Sequence, residues 1–220
     1  MNFLAHYYYD KIDNNPGHTL GLLLPDLVRN FGKPLHQLPV NAVFTSLEEK
    51  SLAQGFLQHI SSDKIFHQTE GFVWFNKQII ALLRNSRVSF KRDWFLAHIL
   101  TELMLDRAIL LRHPDLAKNL YNELDSVDYM AITSFFITVN YSDYINFIHG
   151  FDRFKKAEYL KSYVHPESLA FAMGKIAQKM DINISEASHK MVMVMVIESL
   201  ENKMFTFMED LSVELKANQT

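Results

Sequence analysis

Between Trp94 and Leu111, apolar side chains point in nearly every direction around a helical wheel: Trp94, Phe95, Leu96, Ala97, Ile99, Leu100, Leu103, Met104, Leu105, Ile109, Leu110 and Leu111. A helix that is apolar all round is a buried one, so the chain must gather other helices about this segment. Three titratable residues interrupt it at steps of four: His98, Glu102 and Asp106. Such steps stack side chains along one face of an α-helix, which makes the three a single strip. An ionised carboxylate buried there costs several kcal/mol unless it is paired, protonated or placed against a cation. No Lys or Arg lies between Arg92 and Arg107, and Arg107 points about 100° away from Asp106 on the wheel.

A second strip with the same spacing, His59, Asp63 and His67, falls in the helix expected just upstream. One or two divalent ions held between the strips would neutralise these acids together. Imidazole combined with carboxylate suits zinc, iron or manganese. The expected ligands are His59, Asp63, His98 and Glu102, joined by His6 and Asp26 from the N-terminal segment. His67 and Asp106, at the outer ends, are either ligands or groups that orient a ligand. Asp26 has a competing role, because Pro25 suits the first turn of a new helix and would make Asp26 a capping-region acid.

Only 7 glycines and 6 prolines in 220 residues, with helical rather than alternating periodicity, predict an all-α chain. Helices are expected over 2–10, 46–67, 69–84, 89–111, 115–124, 127–139, 143–160, 166–180 and 185–216. Residues 31–45 form a loop, and Ser46 with Glu49 forms a capping box. Gly55 offers a place for another backbone to approach beside His59. The Met-rich stretch from Met191 to Val196 is either adaptable core or an oligomer contact. No domain boundary is visible, so a single helical bundle over 1–220 is expected, with its metal site between facing helices.

The net charge of −3 gives no general attraction to nucleic acid or to an anionic membrane, so any phosphate recognition must be local. There is no cysteine to supply disulfides or thiolate ligands. The opening residues lack a signal-peptide pattern, and no run of about 18 uncharged apolar residues exists to span a bilayer, so the cytoplasm is the expected setting. Nucleophile-elbow and phosphate-loop motifs are absent, which sets aside serine hydrolases and P-loop enzymes.

Met1-Asn2-Phe3-Leu4-Ala5-His6 resembles the opening of the acyl carrier protein phosphodiesterase family, helical hydrolases distantly similar to HD-domain phosphohydrolases. The resemblance continues through Gly21-Leu22-Leu23-Leu24-Pro25-Asp26-Leu27-Val28-Arg29 and through Gly55, His59 and Asp63. It covers roughly the first half of the chain. Ile60 stands where the family has arginine, His67 where an acid is usual, and His98, Glu102 and Leu103 where it has Asp-x3-Asp-His. The pairing of His59-x3-Asp63 with His98-x3-Glu102 is also similar to the ligand pattern of zinc-dependent phospholipase C and P1-type nucleases.

The resemblance implies metal-assisted hydrolysis of a phosphodiester, with a phosphopantetheinylated carrier protein as one substrate. Asp26 or Asp63 would serve in catalysis, and Arg29, at i+3 from Asp26, would contact phosphate through its guanidinium. The alternative is a non-catalytic helical scaffold whose acids and histidines form a buried hydrogen-bond network.

Overall fold

A computed structural model describes residues 1–184 and 186–218. The described residues form ten α-helices and one 3-10 helix, with no strand among them, as an all-α chain requires. In order these are α1 Phe3–Asp10, α2 Pro16–Phe31, α3 Leu47–Phe66, α4 Glu70–Asn85, α5 Asp93–Arg112, α6 Leu116–Asp125, α7 Tyr129–Thr138, α8 Tyr144–Ala157, the 3-10 helix Tyr159–Val164, α9 Pro166–Lys179 and α10 Ala187–Asn218. None of the described helices is long and apolar enough to cross a membrane. Where the sequence shows no boundary, the contacts divide into two compact units, each assembled from separated stretches. The first unit is Phe3–Asp63 with Asp115–Leu160. The second is Met1–Asn2, Lys64–Pro114 and the described residues from Lys161 onward. Helix α3 passes from one to the other at Asp63 and Lys64.

In the first unit, α2 and α3 meet at a pair of glycines. A Cβ on Gly55 would lie 2.2 Å from the His18 carbonyl oxygen and 2.9 Å from the Gly21 Cα, and one on Gly21 would lie 2.3 Å from the Leu52 carbonyl oxygen. Only glycine permits so close an approach of two backbones. Helix α2 runs straight through Pro25, so Asp26 sits inside the helix and not in a first turn. Proline there removes a backbone hydrogen bond, a loss of roughly 3 kcal/mol. Complete burial of Leu20, Leu22, Leu23, Leu24, Leu27 and Val28 offsets it.

The start of α3 is fixed by a reciprocal capping box. Glu49 N donates to Ser46 Oγ at 3.1 Å, while Glu49 Oε2 accepts from Ser46 N at 3.2 Å and from Thr45 N at 2.7 Å. Ser134 Oγ donates to the other carboxylate oxygen. Burial disfavours the charge on Glu49, but the hydrogen bonds from Ser134, Thr45 and Ser46 outweigh it and hold the carboxyl below its ordinary value of 4.5. The folded state therefore binds this proton less readily than the unfolded chain. Its stabilisation is fully present above pH 4.5 and is lost as the pH falls through the lower, folded value. Glu49→Ala should destabilise the protein by about 2 kcal/mol near neutral pH. It should also flatten this part of the acid limb in urea titrations run from pH 7 downward. An unchanged acid limb would refute the assignment.

In the second unit, α5 packs against α4, α9 and α10. The all-round burial expected of it holds from Leu103 to Leu110, every residue of which is buried, including Asp106 and Arg107. Asn2 Nδ2 donates to Asp106 Oδ2 at 2.8 Å, and Arg107 pairs with Glu201. The helix opens at Asp93 instead of near Ser89, because Arg92 takes a left-handed conformation with φ 53° and breaks the helical path. In α10, Met193 is buried whereas Met191 and Met195 are exposed, so the Met-rich stretch serves the core on one face only. Ser185, expected to open this helix, lies outside the described residues.

Candidate metal centre

Among the described residues, three side chains of the second unit bring ligand atoms within 4.8 Å of one another: His67, His98 and Glu102. Their placement follows from two local events. Helix α3 stops at Phe66, which leaves His67 in the turn ahead of Thr69, the N-cap of α4. His98 and Glu102 are one helical turn apart on α5. His67 Nε2 lies 3.0 Å and His98 Nε2 3.1 Å from the same oxygen, Glu102 Oε1. The imidazoles stack, with ring centres 4.7 Å apart and planes 28° apart, and the Phe72 ring stands nearly perpendicular to both. These ring contacts fix both imidazole planes so that their Nε2 atoms converge. The Met1 α-ammonium is 3.6 Å from the same oxygen.

Burial disfavours charge on Glu102. The Met1 ammonium and the hydrogen bonds from His67 and His98 overcome that penalty and hold the carboxyl well below its usual range. It is therefore a carboxylate near neutral pH. Two imidazole nitrogens and one carboxylate oxygen form the donor set of many catalytic zinc sites, which keep a further position open. Ligands about 2.1 Å from a tetrahedral ion sit roughly 3.4 Å from one another, close to the 3.0 and 3.1 Å from Glu102 Oε1 to the two imidazole nitrogens. The residues present could hold a divalent ion. His98 is 38% exposed and His67 27%, whereas Glu102 between them is 14% exposed.

The other sequence candidates are not members of this trio. Asp106, one turn beyond Glu102, is fully buried and engaged by Asn2. His6 and His59 belong to the first unit, both buried, their rings stacked with centres 3.9 Å apart. His59 Nδ1 donates to the Leu22 carbonyl at 2.7 Å, a bond made possible by the glycine contact of α2 with α3. His6 Nδ1 lies 3.3 Å from Asp10 Oδ2, and Asp10 Oδ1 accepts from Ser62 Oγ at 2.8 Å and from Gln58 Nε2 at 3.1 Å. Asp26 and Asp63 are half-buried, and Arg29 is exposed in the last turn of α2.

Sequence reasoning missed Asp10, Gln58, Ser62 and the burial of His18. The signal for Asp10 was present, since His6-x3-Asp10 repeats the spacing of the two strips. His18 is also enclosed, with no hydrogen-bond partner at Nδ1; burial lowers its pKa, and the nearby Asp10 charge works in the opposite sense.

No protein-family model, curated protein or solved structure matches this chain.

Proposed function

We propose that the protein is a metal-dependent phosphoesterase whose divalent ion is held by His67, His98 and Glu102. The observation that carries this reading is the convergence of three donor atoms, two on imidazole and one on carboxylate, within 4.8 Å of one another. The N-terminal resemblance to the acyl carrier protein phosphodiesterases supports the phosphodiester half of it. A divalent ion there supplies a Lewis acid for a phosphoryl oxygen. Glu102 contributes the negative charge that favours the ion, its depressed pKa keeping it ionised. His67 and His98 contribute imidazole nitrogens, with Phe72 packed against both rings.

A second reading, a hydrogen-bonded network without catalysis, is favoured in the first unit. There Asp10 is satisfied by His6, Ser62 and Gln58, and His59 by a backbone carbonyl. His6 and His59 accordingly act as core-building groups in this proposal.

The test is elemental analysis of protein purified without chelators, followed by assays on simple phosphodiesters, phosphomonoesters and phosphopantetheinylated carrier protein with manganese, zinc or iron. About one equivalent of ion per chain, a melting temperature that rises with added metal, and hydrolysis that disappears with a chelator are the expected results. A metal-free protein whose melting point ignores all three ions would rule the reading out.

A further inference from the structure

The connection from α4 to α5 concentrates positive charge in a protein whose net charge is −3. Arg84, Arg87, Lys91 and Arg92 fall in a stretch with no acid, and all four are exposed. Two are anchored: Arg84 Nε donates to Asp93 Oδ2 at 2.5 Å and Arg92 Nη1 to the Met180 carbonyl at 3.3 Å. The connection encloses a cleft of about 350 Å³ lined by Arg84, Arg87, Ser86, Ser89, Phe90 and Asp93. Asp93 is the one acid in it. The Arg84 guanidinium holds that carboxyl below its usual range; the two answer each other's charge, and Arg87 is the second cation of the lining.

Trp94 follows directly and is 63% exposed. A large aromatic left in water has lost the burial that would ordinarily stabilise it. Trp94, His98 and Glu102 are successive members of one strip, each about 6 Å further along the helix. The cleft thus borders the first residue of α5, and the exposed indole and the imidazole–carboxylate centre follow along one strip of the same helix.

We infer that this strip, with the cleft beside it, is the substrate-recognition surface of the centre and that the substrate is a nucleotide phosphodiester. Its base stacks on Trp94, and a non-reacting phosphate enters the cleft beside Arg87. The inference rests on the phosphoesterase reading and deepens it. Cations interleaved with an aromatic face are the combination that holds single-stranded nucleic acid and its fragments. A lipid surface would require a contiguous apolar patch, whereas Leu96 and Ala97 are buried and Phe90 and Phe95 are partly covered. An acidic peptide would make no use of the indole.

The chain has two tryptophans, so Trp74→Phe leaves Trp94 as the sole indole reporter. That variant, with and without manganese, is titrated with a dithymidine phosphodiester, an oligothymidylate, polyglutamate and phosphatidylglycerol vesicles. Saturable quenching by the dinucleotide is expected. Tighter binding of the oligothymidylate would mark a polymer substrate, and equal binding a small one. Combining Arg87→Glu with Lys91→Glu should weaken binding at least tenfold. In anisotropy titrations of a labelled dinucleotide, Trp94→Ala should weaken it by about tenfold.

The inference is overturned if the nucleotides give no saturable quenching, if polyglutamate or vesicles quench as strongly, or if the charge reversals change nothing. Failure of the underlying reading looks different. Nucleotide binding by a protein that takes up no metal keeps the surface and removes the hydrolase; cleavage of a simple phosphodiester without nucleotide binding removes the surface alone.

Discussion

Glu102→Gln is expected to lower the affinity for the divalent ion by about 100-fold or more and to remove the thermal stabilisation that metal confers. The substitution preserves shape and deletes one charge, and that charge faces His67, His98 and the Met1 ammonium at a single oxygen. An amide oxygen still accepts hydrogen bonds, so the fold should survive; the ion loses its only anionic donor among the three. Metal titration followed by calorimetry reads the difference. In the unsubstituted protein, affinity should fall as the pH is lowered, because protons compete with the ion for the imidazole nitrogens. Wild-type affinity in Glu102→Gln would show that the trio is not the site.

The largest effect on stability should come from Gly55→Ala. A helix interior normally gains about 1 kcal/mol when alanine replaces glycine, so a glycine that was merely tolerated would give a more stable protein. Here the new Cβ would lie 2.2 Å from the His18 carbonyl oxygen, 2.8 Å from the Leu22 nitrogen and 2.9 Å from the Gly21 Cα, all backbone atoms. They cannot rotate aside as a flexible side chain would. Separating α2 from α3 would also stretch the bond from His59 to the Leu22 carbonyl. A loss of about 3 kcal/mol or more is expected, read as a lower urea midpoint. Gly174→Ala is the control, since its added Cβ meets nothing within 4 Å and should instead stabilise α9 by up to about 1 kcal/mol. The opposite signs of two identical substitutions are the measurement, and a stabilising Gly55→Ala would overturn the packing account.

Much of the helical layout was legible because its determinants are local. The capping box of Ser46 and Glu49, the proline at the start of α9 and the apolar angular coverage of α5 are properties of a few neighbouring residues. Pro25 misled for the complementary reason: a local penalty was outweighed by leucines whose burial depends on partners distant in sequence. Arg92 was illegible because no residue type advertises a left-handed turn there.

The site followed the same division. His98 and Glu102 share one helix, and their spacing was readable. The partnership with His67 depends on where α3 stops and how α4 turns back, which is tertiary information. The spacing of Asp10 from His6 matches the other rows, but α1 spans only 8 residues, too short for its periodicity to show that this face is buried.

The interleaving of the two units has a consequence for the chain as it emerges from the ribosome. Helices α1 to α3 leave the exit tunnel well before α6 to α8, the partners that complete their unit, and α4 and α5 must wait in turn for α9 and α10. At an elongation rate of roughly 5–20 residues per second, greasy faces of the early helices stay uncovered for seconds. Such a nascent chain is a natural client for holding chaperones, and a ribosome stall between α5 and α6 would expose both half-built cores together.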